Sequence, residues 1–300
     1  MPRLLLSVML VCLLHFPARA DEKIPAYLIR LPASVKTVFV AETSAAGFHR
    51  FDNEAGLEID YIGSSSMSIG ENGDGKQRSG DRKTPLGIYF VTEQLDTSRL
   101  HEKYGRTAFV LDYPNAIDRR LRRSGDGIWV HGVDPRGGER PIRDTDGCIA
   151  LPNATLEMIE DRFFPNITPV VIGRKVRWVE PGQIDELRSE LDAAISQWGS
   201  SMKRGDMHTF LSLYDADFRH WGMNKTEWIA FRARTLGTRS FENVTISDVL
   251  LLADPAEDEI YLSRFRLRTE EASNTVELTK RLYWRRTGPG ALTIIAEDSG

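Results

Sequence analysis

The sequence predicts two domains of different class, a mostly β domain over residues 36–174 and an α+β domain over residues 184–298. The first block is rich in short β-branched and aromatic runs and holds one clear helical stretch. The second block opens with helical periodicity and closes with long alternating segments, the order expected of an α+β domain. Between them Pro181-Gly182 breaks the chain inside residues 175–183, which read as a linker. A chain of 300 residues is long for one core and comfortable for two.

Residues 21–35 carry two prolines and little periodicity, and read as a lead-in. Thr37–Ala41 is the first strand, and Gly56–Ile62 a second with Leu57, Ile59 and Tyr61 alternating. A glycine-rich loop over Gly70–Lys76 then reads as a solvent-facing hairpin tip, the alternative being a wall of a cleft. It lacks the G-x-x-x-x-G-K-[S/T] spacing of a phosphate loop and the spacing of a calcium-binding EF-hand. Thr84–Val91 turns into a strand, and Phe109–Tyr113 and Gly127–His131 are two more. Leu156, Ile159 and Phe163 stand at helical spacing, with Asn153 placed to cap that helix, and Val170–Ile172 is the last strand of the block.

In the second block Ile184, Leu187, Leu191, Ile195 and Trp198 mark a helix over 184–203, ended by Gly205-Asp206. Met207–Tyr214 and Lys225–Thr235 predict two further helices. Strands follow around Val244–Val249, Ile260–Leu267, Val276–Trp284 and Leu292–Ala296.

The N-terminus reads as an export signal. Arg3 precedes an apolar run over Leu4–Phe16, and Ala18-Arg19-Ala20 is an A-x-A cleavage site. The run is shorter than the ~20 apolar residues that span a bilayer. Cleavage after Ala20 removes Arg3 and Arg19 and no acid, which leaves 37 basic and 43 acidic residues and a net charge of −6. That balance argues against a nucleic-acid partner. Cleavage also removes Cys12, leaving Cys148 as the one thiol, so no internal disulfide is expected. A lone thiol in an oxidising compartment is either buried and inert or used.

A thiolate nucleophile needs a base, and histidine is the usual one. His131 ends a predicted strand, and Cys148 follows 17 positions later across a loop long enough to fold back. Gly147 allows close backbone approach, and the N–H groups around Gly147 and Cys148 are candidates for an oxyanion hole. Spacing alone favours a pair of unrelated core residues over a catalytic one. No metal site is expected, because His49 and His101 lack partners at ligand spacing.

The stretch His131-Gly132, then Thr145-x-Gly147-Cys148, resembles the signature of the YkuD-type L,D-transpeptidase domain, as does Gly80-Asp81-Arg82-Lys83-Thr84-Pro85-Leu86-Gly87-Ile88-Tyr89 upstream. The resemblance covers residues 36–174. It implies a mostly β catalytic domain that uses no cofactor, with Cys148 attacking the bond between an L-centre and D-alanine in peptidoglycan stem peptides. It implies His131 as base, oriented by an oxygen for which the Gly132 carbonyl is the candidate. Water would resolve the acyl-enzyme in a carboxypeptidase and an amine in a transpeptidase. Thr145, Lys83, Thr84 and Arg143 are possible substrate contacts, although Lys83 and Thr84 read equally well as turn residues. Many members carry His and Arg where this chain has Asp146 and Ala150, so recognition of the acyl donor must differ; Arg136, Arg140 or Arg143 could supply charge from the loop, although each by itself reads more readily as a solvated surface arginine. The variant motif is similar to that of cell-shape L,D-carboxypeptidases and of enzymes that release wall-linked lipoprotein, which makes both stem peptides and lipoprotein implied partners in a periplasmic setting. The alternative is a degenerate wall-binding scaffold with an unreactive Cys148.

Residues 184–298 resemble the NTF2-like fold through a tryptophan-bearing helix, Phe210-Leu211-Ser212-Leu213-Tyr214, and the long strands that follow. Trp198, Tyr214, Trp221 and Trp228 are expected in the core rather than around a ligand. Glycan binding, substrate orientation and a homodimer contact remain open for this domain.

Overall fold

A computed structural model describes residues 23–53, 56, 59–137, 140–236, 241–272 and 274–300. The export signal over residues 1–20, and Leu57 of the second predicted strand, lie outside the described residues.

The first domain is an eight-stranded mixed sheet. From one edge to the other its strands are Ile149–Ala150, Trp129–His131, Thr107–Leu111, Gly87–Asp96, Pro169–Gly173, Thr37–Glu42, Gly47–Asp52 and Asp60–Ser66. The central strands read as apolar runs because both faces are covered: Val38, Phe39, Val40 and Ala41 are all fully buried, as are Val170, Val171 and Ile172. One face closes over Phe39, Phe109, Val130, Ile149, Leu151 and the Leu156–Phe163 helical segment. Phe163 stacks between Phe39 and Phe109, with ring centroids 4.4 and 4.2 Å away.

The second domain is a seven-stranded sheet ordered Met223–Asn224, Tyr214–His220, Ala291–Ser299, Asn274–Gly288, Ile260–Glu271, Asn243–Ala253 and Leu28–Arg30. The Asp185–Arg204 helix lays Leu191, Ile195 and Trp198 onto it at three- and four-residue spacing. Gly205 ends that helix in the left-handed conformation, φ 65°. Trp198, Tyr214 and Trp228 are buried core residues as expected, whereas Trp221 is 68% exposed, with the Arg119 guanidinium 4.3 Å from its ring centroid.

Several expectations require correction. The lead-in is structural: Ile24–Pro25 pairs with Trp178–Val179, and Leu28–Arg30 is the edge strand of the second domain's sheet. Leu28 and Ile29 are buried there, a pairing across more than 220 residues that leaves no local pattern. A strand at Gly47–Asp52 escaped the periodicity because a register shift between Arg50 and Phe51 breaks its alternation. Asn153 is the first helical residue rather than the cap, and Pro152 occupies the cap position without a side-chain bond. The Met207 helix stops at Ser212, and Tyr214–His220 is a strand drawn into the sheet beside Ala291–Ser299. Pro181 and Gly182 lie in a short 3-10 helix over Pro181–Ile184.

One apolar cluster joins Val38, Val40, Phe51, Ile88 and Phe90 of the first domain to Leu250, Leu252, Leu262, Tyr283 and Ile295 of the second. Ion pairs reinforce it. Arg281 binds Asp298 at 2.6 Å and also Asp112 across the boundary, Arg119 reaches Asp298 at 3.2 Å, and Arg123 reaches Glu257 at 2.6 Å. The two sheets therefore share a core.

Candidate active site

The Trp129–His131 and Ile149–Ala150 strands lie side by side in parallel, with Ala150 opposite His131. Cys148 immediately precedes the second of these strands, level with Trp129 in that register and two residues along the strand from His131. Both line one cleft of about 490 Å³, together with Lys76, Arg82, Lys103, Tyr104, Asp126, Trp129, Arg140, Asp144, Thr145 and Asp146. Cys148 is 7% exposed and His131 is 2% exposed.

Three glycine positions and one asparagine build this geometry. Gly132 offers its carbonyl to His131 Nδ1 at 2.5 Å. A side chain on Gly132 would collide with Asn153 Oδ1, whose Cβ position lies 2.3 Å from it. Asn153 grips the next residue, accepting from Val133 N and donating to Val133 O, both at 2.9 Å. Gly105, at φ 65°, packs its own backbone against Gly132 and sets Tyr104 against the imidazole, edge to face with centroids 5.2 Å apart. Gly147, at φ 127°, has its would-be Cβ 2.7 Å from Lys83 O, so the turn before the thiol admits no side chain.

Thr145 is spent on this turn. Its Oγ1 donates to Cys148 O at 2.7 Å and accepts from Gly147 N at 3.1 Å. The Gly147 N–H is therefore occupied, against its expected part in an oxyanion hole. Thr84 is fully buried, and its Oγ1 accepts from Gly70 N at 2.9 Å, which makes it a frame residue and not a substrate contact. Lys83 is half-buried, donates its N–H to Asp81, and is absent from the cleft lining. Arg143 is exposed, lies against Gly73, and faces a different groove.

The glycine-rich loop is not a free tip. Ile69–Gly70 pairs in parallel with Arg143–Thr145, and Lys76, 4% exposed, turns into the cleft. Lys76 Nζ donates to Asp81 Oδ1 at 2.8 Å. Burial raises the Asp81 pKa, but Lys76 and the N–H groups of Arg78, Gln77 and Lys83 outweigh it and hold the carboxyl below the usual range. Lys76, Lys103, Tyr104 and Arg140 went unnoticed or unranked in the sequence because nothing local marks them; only the loop closures bring them to the cleft.

Burial pushes the Cys148 thiol up to about 11, against a lowering by the Trp129 backbone N–H, and the thiol also contacts Gly127 O at 3.4 Å. Burial pushes His131 down to about 4, with Arg140 and Lys103 acting in the same direction and the Gly132 bond opposing. At neutral pH the pair is therefore an uncharged thiol and an uncharged imidazole. Nδ1 carries the proton toward Gly132 O, which leaves Nε2 as the basic nitrogen. Such a pair can pass a proton from sulfur to nitrogen as the sulfur attacks, without a standing ion pair.

The sequence matches the model of the YkuD L,D-transpeptidase catalytic domain over residues 52–172 and that of the Cds6 C-terminal NTF2-like domain over residues 190–298. The chain also superposes on Bd1075 of Bdellovibrio bacteriovorus with a TM-score of 0.75 at 24% identity, covering 93% of this chain and 98% of that one. It superposes on the helical cell shape determining protein Pgp2 of Campylobacter jejuni with a TM-score of 0.75 at 23% identity, covering 93% and 95%. At those identities the likeness establishes a shared fold. No curated protein matches in sequence. The cleft thus lies in a domain of the YkuD L,D-transpeptidase catalytic family, and the chain joins that domain to a Cds6-type NTF2-like domain.

Proposed function

We propose that this chain is an exported peptidoglycan-remodelling enzyme in which Cys148 is the nucleophile and His131 the general acid–base. The observation that carries the reading is the His131 imidazole, buried, neutral and anchored through Nδ1 to Gly132 O, in the same cleft as the chain's one described thiol. As sulfur bonds to the carbonyl carbon of the L-centre–D-alanine bond, the thiol proton passes to His131 Nε2. The tetrahedral oxyanion is stabilised by backbone N–H groups, a role that passes to Cys148 N–H because Gly147 N–H is bound to Thr145. The C–N bond then breaks, the D-alanine amine leaves with the proton from His131, and a thioester remains on Cys148. Water resolves it to a carboxylate in carboxypeptidation; a second stem's amine resolves it to a new amide in transpeptidation. Export rests on the Arg3–Ala20 segment of the sequence.

Mass spectrometry of purified stem peptides incubated with the mature protein and with Cys148→Ala tests this. Thiol-dependent loss of terminal D-alanine from tetrapeptide establishes the carboxypeptidase, and a thiol-dependent crosslinked or exchanged product the transpeptidase. Identical peptide profiles with both proteins would refute the reading and favour a wall-binding scaffold.

A further inference from the structure

We propose that Trp221, backed by Arg119 at the boundary of the two domains, is a stacking platform for a sugar ring of an acidic glycopeptide. The inference deepens the reading above and rests on it for the identity of that sugar as wall glycan, though not for the existence of the platform.

The hairpin between the Tyr214–His220 and Met223–Asn224 strands turns on two residues, Trp221 and Gly222, with His220 paired to Met223. Both turn residues have positive φ, 47° and 84°, the pattern of a type I′ turn, which favours Asn-Gly. A bulky side chain is strained in that region, because its Cβ crowds the following carbonyl. Tryptophan therefore works against the local fold here, and strain of this kind points to a use for the side chain. Burial is not that use: Trp221 is 68% exposed, whereas Trp198, Trp228 and Trp284 of the same domain are fully buried.

The ring is nonetheless held in place. The Arg119 guanidinium lies over one face, 4.3 Å from the centroid. Arg119 is itself fixed, donating to Pro114 O at 2.6 Å and to Asp298 at 3.2 Å. Among the described residues Trp221 makes no other ring contact, and its indole N–H donates to none of them. A pyranose ring presents weakly positive C–H bonds, which suit the negative face of an aromatic ring already set in position. The surroundings are basic. Arg219 is exposed beside the turn, and Arg120 has a buried Nε with no acceptor among the described residues, although Asp215 and Asp217 offset part of this charge. The remaining positive charge suits the carboxylates of an acidic glycopeptide. A lipid surface fits less well, because insertion needs several apolar side chains together, and the exposed neighbours Arg219, Gly222 and Asn224 supply none. Arg119 stands seven residues before Asp126 of the cleft, at most ~25 Å of chain, which keeps the platform within reach of a substrate held in the cleft.

The test is co-sedimentation of the mature protein with purified peptidoglycan sacculi, in a Cys148→Ala background so that the wall is left uncut. Trp221→Asn is expected to weaken binding about tenfold, and Trp221→Phe to restore most of it. Phe164→Ala, which removes an exposed aromatic of the first domain, should leave binding unchanged. Trp221→Asn should also keep its thermal midpoint at or above that of the parent, because Asn-Gly suits the turn. Binding unchanged in Trp221→Asn, or absent in the parent, overturns the platform. A marked fall in midpoint overturns it too, and makes Trp221 a clamp between the domains. Loss of binding to vesicles of anionic phospholipid, with sacculus binding kept, overturns it in favour of a membrane contact. None of these readouts uses turnover. Weaker sacculus binding by Trp221→Asn, in a protein whose Cys148 form leaves stem peptides intact, keeps the platform and removes the enzymatic reading. Unchanged binding in a protein that cuts them removes the platform alone.

Discussion

The cleft of the first domain holds a thiol, an imidazole, four basic side chains and the carboxylates of Asp126, Asp144 and Asp146, while the pocket of the second is walled by Trp198, Trp228, Phe241, Leu267 and Leu278 around a buried carboxylate. That carboxylate, Glu297, is 4% exposed. It accepts from Tyr214 OH at 3.0 Å and Trp228 Nε1 at 3.2 Å, and pairs with Lys280 at 2.9 Å. Burial pushes Glu297 up, but Lys280 and the surrounding positive charge outweigh it and leave the group ionised. In the second pocket Glu297 and its partners Tyr214, Trp228 and Lys280 thus satisfy one another inside the core. In the first, the thiol and the imidazole Nε2 keep chemical capacity, because backbone rather than side chains does the holding. A site available for reaction is one whose scaffold bonds are made by groups other than the reactive ones.

The sharpest way to break this contrast is to remove a reactive group and look for a structural cost. Cys148→Ala is expected to abolish turnover of stem peptides, and His131→Ala to lower kcat by ~10²–10⁴-fold, both with thermal midpoints close to the parent. A large fall in midpoint would make these groups structural and erase the distinction. The mirror experiment removes Glu297. Glu297→Ala leaves Lys280 buried without its partner and is expected to cost about 3–5 kcal/mol in denaturant unfolding. Loss of activity without loss of stability there would assign the second pocket a part in the reaction.

Acid pH sharpens the contrast through His131. Its folded pKa, about 4, lies below the ordinary 6.5, so as pH falls the unfolded chain takes up the proton first. Stability is fully present above about pH 6.5 and is lost as pH falls toward 4, by roughly 3 kcal/mol at the limit. An imidazole NMR titration should place the His131 midpoint near 4, and a midpoint above 6 would mean that the ring is solvated or paired with an acid. The smallest effect belongs to the frame. Thr84→Val removes the acceptor for Gly70 N and is expected to cost about 1–2 kcal/mol, read by thermal unfolding, while KM for the peptide stays within twofold. A KM rise well beyond that would return Thr84 to the substrate side.

Much of the site's chemistry was legible because it is written in short, ordered motifs. His131-Gly132 and Thr145-x-Gly147-Cys148 each act within a few residues: the Gly132 carbonyl on its neighbouring ring, and the Thr145 hydroxyl across its own turn. Helical and strand periods likewise depend on neighbours three, four or two positions away, so the Asp185–Arg204 helix and the Ile260–Glu271 strand could be read in advance. Residue types in sequence thus determined the two domains, the candidate pair Cys148 and His131, and the oxygen that holds the imidazole. Tertiary structure alone decided that Leu28–Arg30 completes the second sheet, that Asn153 clamps Val133 instead of capping its helix, and that Arg140 rather than Arg143 lines the cleft with His131. Those outcomes depend on pairings between distant segments, where burial and charge come from residues with no fixed spacing to the one concerned.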